Sequence, residues 1–398
     1  MTQSRASDAG VRPVADRVVA AVRSALRDHQ GPAALHEPEF RGAEWTYVKD
    51  CLDTGWVSSV GAYVDRFERE LERVTGVAHA VVTSTGTAAL HVSMLLAGVE
   101  RGDEVLVPAL TFVATANAVS YTGAVPHFVE ADASNLGVDP EALERHLQAI
   151  ARIEGAVCRN RETGTAIRAL VITHVLGLPC DLDALTSLAE RWRLVLIEDA
   201  AEALGSCRHG VHVGGHGRLA ALSFNGNKIV TTGGGGAILS NDPALAARAK
   251  HLTTTAKQPH AWAFEHDEVA FNYRLPNLNA ALGCAQLERL EDMISRKRLL
   301  AARYAEAFAD VPGVRVLAEP EGSRSNAWLN GILLDDPADR DPTLEALASA
   351  GLMARPLWTL MHRLPMYAAC PRASLTVAES LEARVLTLPS SACLADGG

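Results

Sequence analysis

A single lysine, Lys228, ends the run Leu222-Ser223-Phe224-Asn225-Gly226-Asn227-Lys228, just ahead of Ile229-Val230-Thr231-Thr232 and four glycines, Gly233 to Gly236. An amine placed where an apolar strand gives way to small residues has little room to be a solvated surface charge. Desolvation favours the neutral amine, which attacks carbonyls, and Schiff-base lysines arise in this way. The residue also reads as an ordinary strand-end lysine reaching water. Three further segments bear on the choice. Thr85-Gly86-Thr87-Ala88-Ala89-Leu90 is a small-residue turn feeding a helix. Bare N–H groups and the helix dipole make such a turn an anion site suited to phosphate, although a plain N-cap by Ser84 or Thr85 also accounts for it. In Ile197-Glu198-Asp199-Ala200-Ala201-Glu202, Asp199 ends an apolar Leu-Val-Leu-Ile run. Buried there it needs a cation, of which a protonated pyridine nitrogen is one, unless it caps a helix. Phe112, in Thr111-Phe112-Val113-Ala114, is an aromatic that could stack on a planar ring or belong to the core.

These groups can meet only if the elements before them end side by side. The pattern predicts strands at Ala80–Thr83, Glu104–Val107, Val125–Val129, Ala169–Thr173, Leu194–Ile197, Ala220–Phe224 and Ala237–Ser240. Helices are predicted to open in Ser84–Leu90 and run to about Ala97, and over Phe112 to Tyr121, Pro140–Gln148 and Leu182–Trp192. This βαβ alternation implies an α/β domain with a mostly parallel sheet, and in such sheets ligands sit at the carboxyl ends of the strands. Before it, Val14, Val18, Val22 and Leu26 mark an amphipathic helix from Pro13, followed by a turn-rich stretch through Gly55–Gly61. After it come a helix Asn277–Met293 leading into a longer one through Phe308, strands Val314–Leu317 and Trp328–Leu334, and a helix near Thr343–Ala350. The expected division is a 1–35 N-terminal extension and helix, a 36–275 large domain, and a 276–398 linking helix with a small C-terminal domain.

Composition narrows the classes. The 398 residues are 48% hydrophobic and 21% charged, so a large core is affordable and disorder is not the theme. A formal net charge of −10, with no basic run, argues against a nucleic-acid partner. No apolar run reaches about 18 residues, so no membrane span is expected. The seven cysteines are scattered without a CxxC pair, which favours free thiols in the cytoplasm over a disulfide framework. His174 follows a strand and reads as a core or rim residue, while His260 and His266 lack ligand spacing, so no metal is expected.

A phosphate cradle, a ring-stacking aromatic, a carboxylate for a pyridinium and, 29 residues after Asp199, an amine for an aldehyde together meet the requirements of pyridoxal 5′-phosphate. The Ser223 hydroxyl, five residues before Lys228, is a further polar group. The four glycines do not make a P-loop, because no Gly-Lys-Ser/Thr follows.

Across residues 35–395 the chain resembles the DegT/DnrJ/EryC1/StrS family of sugar aminotransferases, through Gly86–Leu90 (GTAAL), Pro108–Ala118 (PALTFVATANA), Ile197–Glu202 (IEDAAE) and Ser223–Gly236 (SFNGNKIVTTGGGG). The resemblance implies PLP fold type I (aspartate aminotransferase-like) and a homodimer with shared active sites. It makes Lys228 the Schiff-base lysine and general acid and base, Asp199 the partner of the pyridine nitrogen, and Phe112 the stacking ring. Gly86, Thr87 and Ser223 would hold the phosphate, with Asn272 reaching it across the dimer interface. Two departures stand out: Glu202 where many relatives place Gln near the cofactor's phenolic oxygen, and Gly234 where many place Glu. With GWVSSVG (Gly55–Gly61), TTTAKQPHAW (Thr253–Trp262) and WTLMHRLPMY (Trp358–Tyr367), they resemble the subgroup of bacillosamine and legionaminic acid pathways. That subgroup transfers an amino group from L-glutamate to C4 of UDP-linked 4-keto-6-deoxy-N-acetylhexosamines, giving UDP-4-amino-4,6-dideoxy-N-acetylglucosamine. The alternatives are a GDP- or dTDP-keto sugar as acceptor, a dehydratase of the same family, whose members carry His in place of the lysine, and a non-catalytic PLP-binding regulator, for which the chain offers no helix-turn-helix or basic face.

Overall fold

A computed structural model describes residues 13–27 and 29–396. Seven strands form the central sheet: β1 (His79–Thr83), β2 (Glu104–Pro108), β3 (Val125–Val129), β4 (Ala166–Thr173), β5 (Val195–Asp199), β6 (Leu219–Ser223) and β7 (Gly236–Ser240). Their spatial order is β1-β7-β6-β5-β4-β2-β3. The pairs from β6 through β5, β4 and β2 to β3 are parallel, and β7 runs antiparallel to both of its neighbours. A hairpin, Ala151–Glu154 with Val157–Asn160, extends the sheet beside β4. Central strands such as β2 are buried along their whole length, which explains why they read as continuous apolar runs rather than alternating ones.

Twelve α-helices surround the sheets: α1 (Val14–Leu26), α2 (Glu44–Thr54), α3 (Ala62–Thr75), α4 (Gly86–Leu96), α5 (Val113–Tyr121), α6 (Pro140–Ile150), α7 (Leu182–Arg191), α8 (Pro243–Thr253), α9 (Asn277–Leu287), α10 (Leu290–Phe308), α11 (Arg340–Ser349) and α12 (Thr376–Arg384), among the described residues. Asp139 and Asp242 cap α6 and α8, each with Pro at the first helical position, where a missing N–H costs nothing. The C-terminal sheet joins β8 (Val314–Val316), β9 (Asn330–Leu334), β10 (Arg355–Pro356) and β11 (Val385–Leu388) in the order β8-β9-β11-β10.

Three features differ from the sequence expectation. Two helices, α2 and α3, occupy residues 44–75, a region read as turn-rich up to Gly61. The helix expected from Asn277 through Phe308 breaks at Glu288 and Arg289, where the backbone leaves helical geometry (Arg289 φ −107°, ψ 4°). Helix α1, read as amphipathic and grouped with residues 1–35, packs with the C-terminal elements. Its Val18, Val22 and Leu26 share a core with Leu300, Tyr304 and Phe308 of α10, Leu347 of α11 and Leu386 of β11. Conversely, α9 packs on α2 and α3, so it joins the large core rather than the C-terminal one.

Candidate active site

Register places the ends of five strands along one edge of the sheet. Asp199 lies beside both Thr173 and Ala221 in the parallel ladder, and Gly236 of β7 faces Ser223 on one side and Thr83 on the other. The sheet therefore converts separations of dozens of residues into neighbouring positions. At this edge lies a cavity of about 280 Å³. Asp199, Glu202, Lys228 and Ser223 line it, as do Gly86 and Thr87 from the first turn of α4, and Phe112 just ahead of α5. Seven of the eight residues singled out from sequence are thus brought together.

The eighth is not. Asn272 is exposed and outside the cavity, in an extended segment that bridges to Thr254. Among the lining residues absent from the expected set are two tryptophans, Trp328 and Trp358. Trp358 lies 6.2 Å from Phe112 between ring centroids, so two aromatic faces stand together at the cavity. Trp328 carries no local sequence signal, because it arrives from the C-terminal part of the chain by tertiary packing alone, whereas Trp358 opens the WTLMHRLPMY segment.

The electrostatics of the wall are uneven. Lys228 Nζ lies 3.3 Å from Glu202 Oε1, and 4.1 Å from the centroid of the Trp328 ring. The other Glu202 oxygen accepts the Leu176 amide at 2.9 Å. Burial pushes the Glu202 carboxyl above the ordinary carboxylate range, against the opposing pull of Lys228. Asp199 Oδ2 accepts the Thr115 hydroxyl at 2.7 Å and Oδ1 the Ala201 amide at 3.2 Å. Among the described residues it makes no ion pair, and burial raises its pKa as well.

Backbone shape at the first turn of α4 is enforced by glycine. A Cβ on Gly86 would come within 2.9 Å of the Ser223 Cβ, and one on Gly236 within 2.5 Å of the Gly86 nitrogen. Strand β7 and the helix start are therefore pressed together, with the Gly86 and Thr87 backbone left at the cavity. Thr85 caps the helix by accepting the Ala88 amide at 3.0 Å, as the alternative reading of this turn has it. That cap uses the Ala88 amide and does not engage the Gly86 and Thr87 amides.

The histidines fall elsewhere. His174 is fully buried, 3.0 Å from Glu198 and outside the cavity lining. His260 and His266 bond to nearby backbone. It is His251 that clusters with Asp267 and Glu268, but that group is largely exposed and Arg248 already pairs with Glu268. A larger cleft of about 590 Å³, between α10 and the strands β8 and β9, is lined mainly by Ala, Leu and Val with the Arg298–Glu319 pair at its side. Its Ser325 hydroxyl donates to the Gly177 carbonyl at 3.0 Å and its Glu319 is paired with Arg298, so both polar groups are already engaged and the smaller cavity is the candidate site.

The sequence and the fold have known counterparts. The chain belongs to the DegT/DnrJ/EryC1/StrS aminotransferase family. The family's model matches residues 38–397. This aminotransferase is 37% identical to the GDP-perosamine synthase of Vibrio cholerae, over 91% of its own length and 95% of the relative's. It is 36% identical to EpsN of Bacillus subtilis (strain 168), a protein bearing the name of a pyridoxal phosphate-dependent aminotransferase, over 84% of its length and 83% of that protein's. Among solved structures, S. venezuelae DesV in complex with a ketimine intermediate superposes with a TM-score of 0.81 at 30% identity, covering 92% of this chain and 94% of DesV. The fold is that of the pyridoxal phosphate-dependent aminotransferases, and the enzyme is one of them.

The cavity fits that cofactor on its own terms. A buried carboxylate with no ion-pair partner among the described residues, Asp199, is what a protonated ring nitrogen requires. The turn at Gly86, kept free of side chain by the packing of β7, suits a phosphate at a helix N-terminus. Among the described residues, no helix is long and apolar enough to cross a membrane.

Proposed function

We propose that this aminotransferase moves an amino group from L-glutamate to C4 of a UDP-linked 4-keto-6-deoxy-N-acetylhexosamine. The observation that carries the transferase reading is the Lys228 amine inside the cavity, 3.3 Å from Glu202, in the same space as Asp199, which makes no ion pair among the described residues. The UDP sugar rests on the motif resemblance. A GDP-linked 4-keto-6-deoxy sugar is the second reading, favoured by relatives named GDP-perosamine synthase at 35–37% identity. A lysine at position 228 argues against dehydration.

Pyridoxal phosphate, when bound, supplies an aldehyde to carry the amino group and a ring to accept the electron pair released. Everything else falls to the chain. Asp199, steadied by Thr115 and Ala201, would hold a cationic ring nitrogen in its charged form, an interaction strengthened by the dry surroundings. Gly86, Thr87 and Ser223 would hold the phosphate. Phe112 would cover one ring face. Lys228 would take a proton from the donor's α-carbon as general base and give it back, as general acid, to the carbon that had been the cofactor's aldehyde, two bonds away. Glu202, fixed by the Leu176 amide, would keep the amine aimed into the cavity. Asn272 lies outside its own cavity, which supports a homodimer in which it completes the phosphate site of a second copy.

The test is a mass-spectrometric assay with glutamate and a panel of UDP-, GDP- and dTDP-4-keto-6-deoxy sugars. Amination of the UDP-N-acetyl sugar is expected. Preference for a GDP sugar would replace the first reading by the second, and loss of a sugar oxygen in place of amination would end both. Lys228→Ala should lower turnover by at least about 10³-fold, as loss of a combined nucleophile and proton carrier does.

A further inference from the structure

Trp328 is bound to the lysine loop at two points. Its indole N–H donates to the Asn227 carbonyl at 2.8 Å, and its ring centroid lies 4.1 Å from the Nζ of the next residue, Lys228. The first contact holds the backbone just before the lysine, and the second holds the tip of its side chain. The tryptophan itself is almost wholly buried. Its backbone amide donates to Asn326 Oδ1 at 2.9 Å, while Asn326 Nδ2 donates to the Glu202 and Leu204 carbonyls, both at 3.0 Å. Asn326 is fully buried, and a Cβ on Gly177 would come within 2.1 Å of its Oδ1, so it has no room to swing. One short segment, Asn326–Trp328, therefore grips both the Glu202 turn and the Lys228 loop, the two carriers of the site's ion pair.

We propose that Trp328 is a positioning residue for the reaction: its ring face and its indole N–H together set where the Lys228 amine rests in the cavity. A flexible four-carbon side chain loses rotamer freedom when it is placed, and a flat π face beside the ammonium supplies attraction without a competing proton acceptor. Glu202 alone would hold the amine by charge and would leave the side chain free to pivot about that contact. The tryptophan removes the pivot. This inference rests on the assignment of Lys228 as the cofactor-bonding lysine.

The test compares two forms of the cofactor on the purified full-length protein. Pyridoxal phosphate has an aldehyde to which a lysine can bond, whereas pyridoxamine phosphate has none, and both carry the same ring and phosphate. Dissociation constants for each are measured by absorbance titration of cofactor-free protein, for the parent, Trp328→Leu and Trp328→Phe. A positioning role predicts that Trp328→Leu weakens pyridoxal phosphate about three- to tenfold, the range of a partly desolvated cation–π contact, while pyridoxamine phosphate shifts less than about twofold. Trp328→Phe, which keeps a ring face and loses the N–H, should fall between. Equal weakening of both forms would make Trp328 only a wall of the cavity, and no change in either would remove it from the site; both results overturn the proposal. If Trp328→Leu fails to fold, the Phe variant decides between the same outcomes. Lys228→Ala separates the two assignments. If it leaves the pyridoxal-to-pyridoxamine ratio unchanged, the lysine assignment has failed, whereas a collapsed ratio in Lys228→Ala with a parental ratio in the Trp328 variants refutes the positioning role alone. In Lys228→Ala, adding Trp328→Leu should change nothing further.

Discussion

Glu198 and Asp199 are consecutive residues of one strand, equally buried, and they live in opposite electrostatic circumstances. Glu198 is saturated. Its Oε2 accepts from His174 Nε2 at 3.0 Å and the Gly214 amide at 2.6 Å, and its Oε1 from the amides of His216 and Gly217 at 2.9 and 2.6 Å. Burial would raise its pKa, but His174 and those amides outweigh it and hold the carboxyl low. Asp199 has two donors and a cavity, and burial prevails. Alternation along a strand sends the two side chains to opposite faces, so the protein can finish one carboxylate internally and leave its neighbour short of a cation. The first kind of buried charge holds a fold together. The second kind is a binding site.

The contrast would break most visibly at Asp199. Asp199→Asn keeps the shape and removes the charge, so turnover should fall by about 10²–10³-fold, the scale of losing one preorganised charge-stabilising group. The stability of the cofactor-free protein should move the other way. A carboxyl whose folded pKa is raised above its ordinary 3.8 contributes stability below that value and loses it as pH rises through the folded one. At neutral pH the Asn variant, without cofactor, should therefore unfold at an equal or higher temperature than the parent. A lower melting temperature would mean that Asp199 is structural after all.

Glu198→Gln should do the reverse. An amide NH₂ would face two N–H donors, and buried His174 would lose its carboxylate, so the folded state should lose about 3 kcal/mol in a urea titration, with turnover of the folded fraction changed less than about threefold. A large drop in turnover at unchanged stability would erase the distinction between the two residues.

The smallest effect lies on the saturated side. His212 is buried, accepts the Gly205 amide at 2.7 Å through Nε2, and is lowered by desolvation to about 4. A histidine depressed in the folded state contributes stability above its ordinary 6.5 and loses it as pH falls toward the folded value. Melting temperature should decline from pH 6.5 to 4, and His212→Gln should flatten that decline by at most about one proton's worth of slope. An unchanged slope would show that His212 titrates normally.

Much of the site could be read from the chain because each group sits at a strand end, where an apolar run stops and a small or charged residue follows. Asp199, Ser223, Lys228 and the Gly86 turn all carry that local mark, and the parallel ladder does the rest. What supports them was not legible in the same way. Thr115 reaches Asp199 across 84 residues of sequence, and Trp328 reaches the Asn227 carbonyl across 101. A buried threonine in a helix and a tryptophan after a turn look the same whether or not they touch a site. Helix α2 was hidden for another reason: its Trp45 is 78% exposed and only Glu44 and Cys51 are buried, so no apolar period marks it. Helix α3, with Val64, Phe67 and Leu71 on one buried face, does carry such a period.

The seat of helix α1 has a consequence for how the chain is made. Its apolar face is covered by α10 and α11, elements that begin at Leu290 and Arg340. At about 5–20 residues per second of synthesis, that face waits on the order of half a minute for its cover. Over that interval Val18, Val22 and Leu26 form an amphipathic stripe with no home, while the sheet that carries the site can already assemble. The C-terminal unit is a clasp between sequence-distant segments, closed only once β11 has emerged, and a chain stalled before that point would display an unburied helix as the mark of its incompleteness.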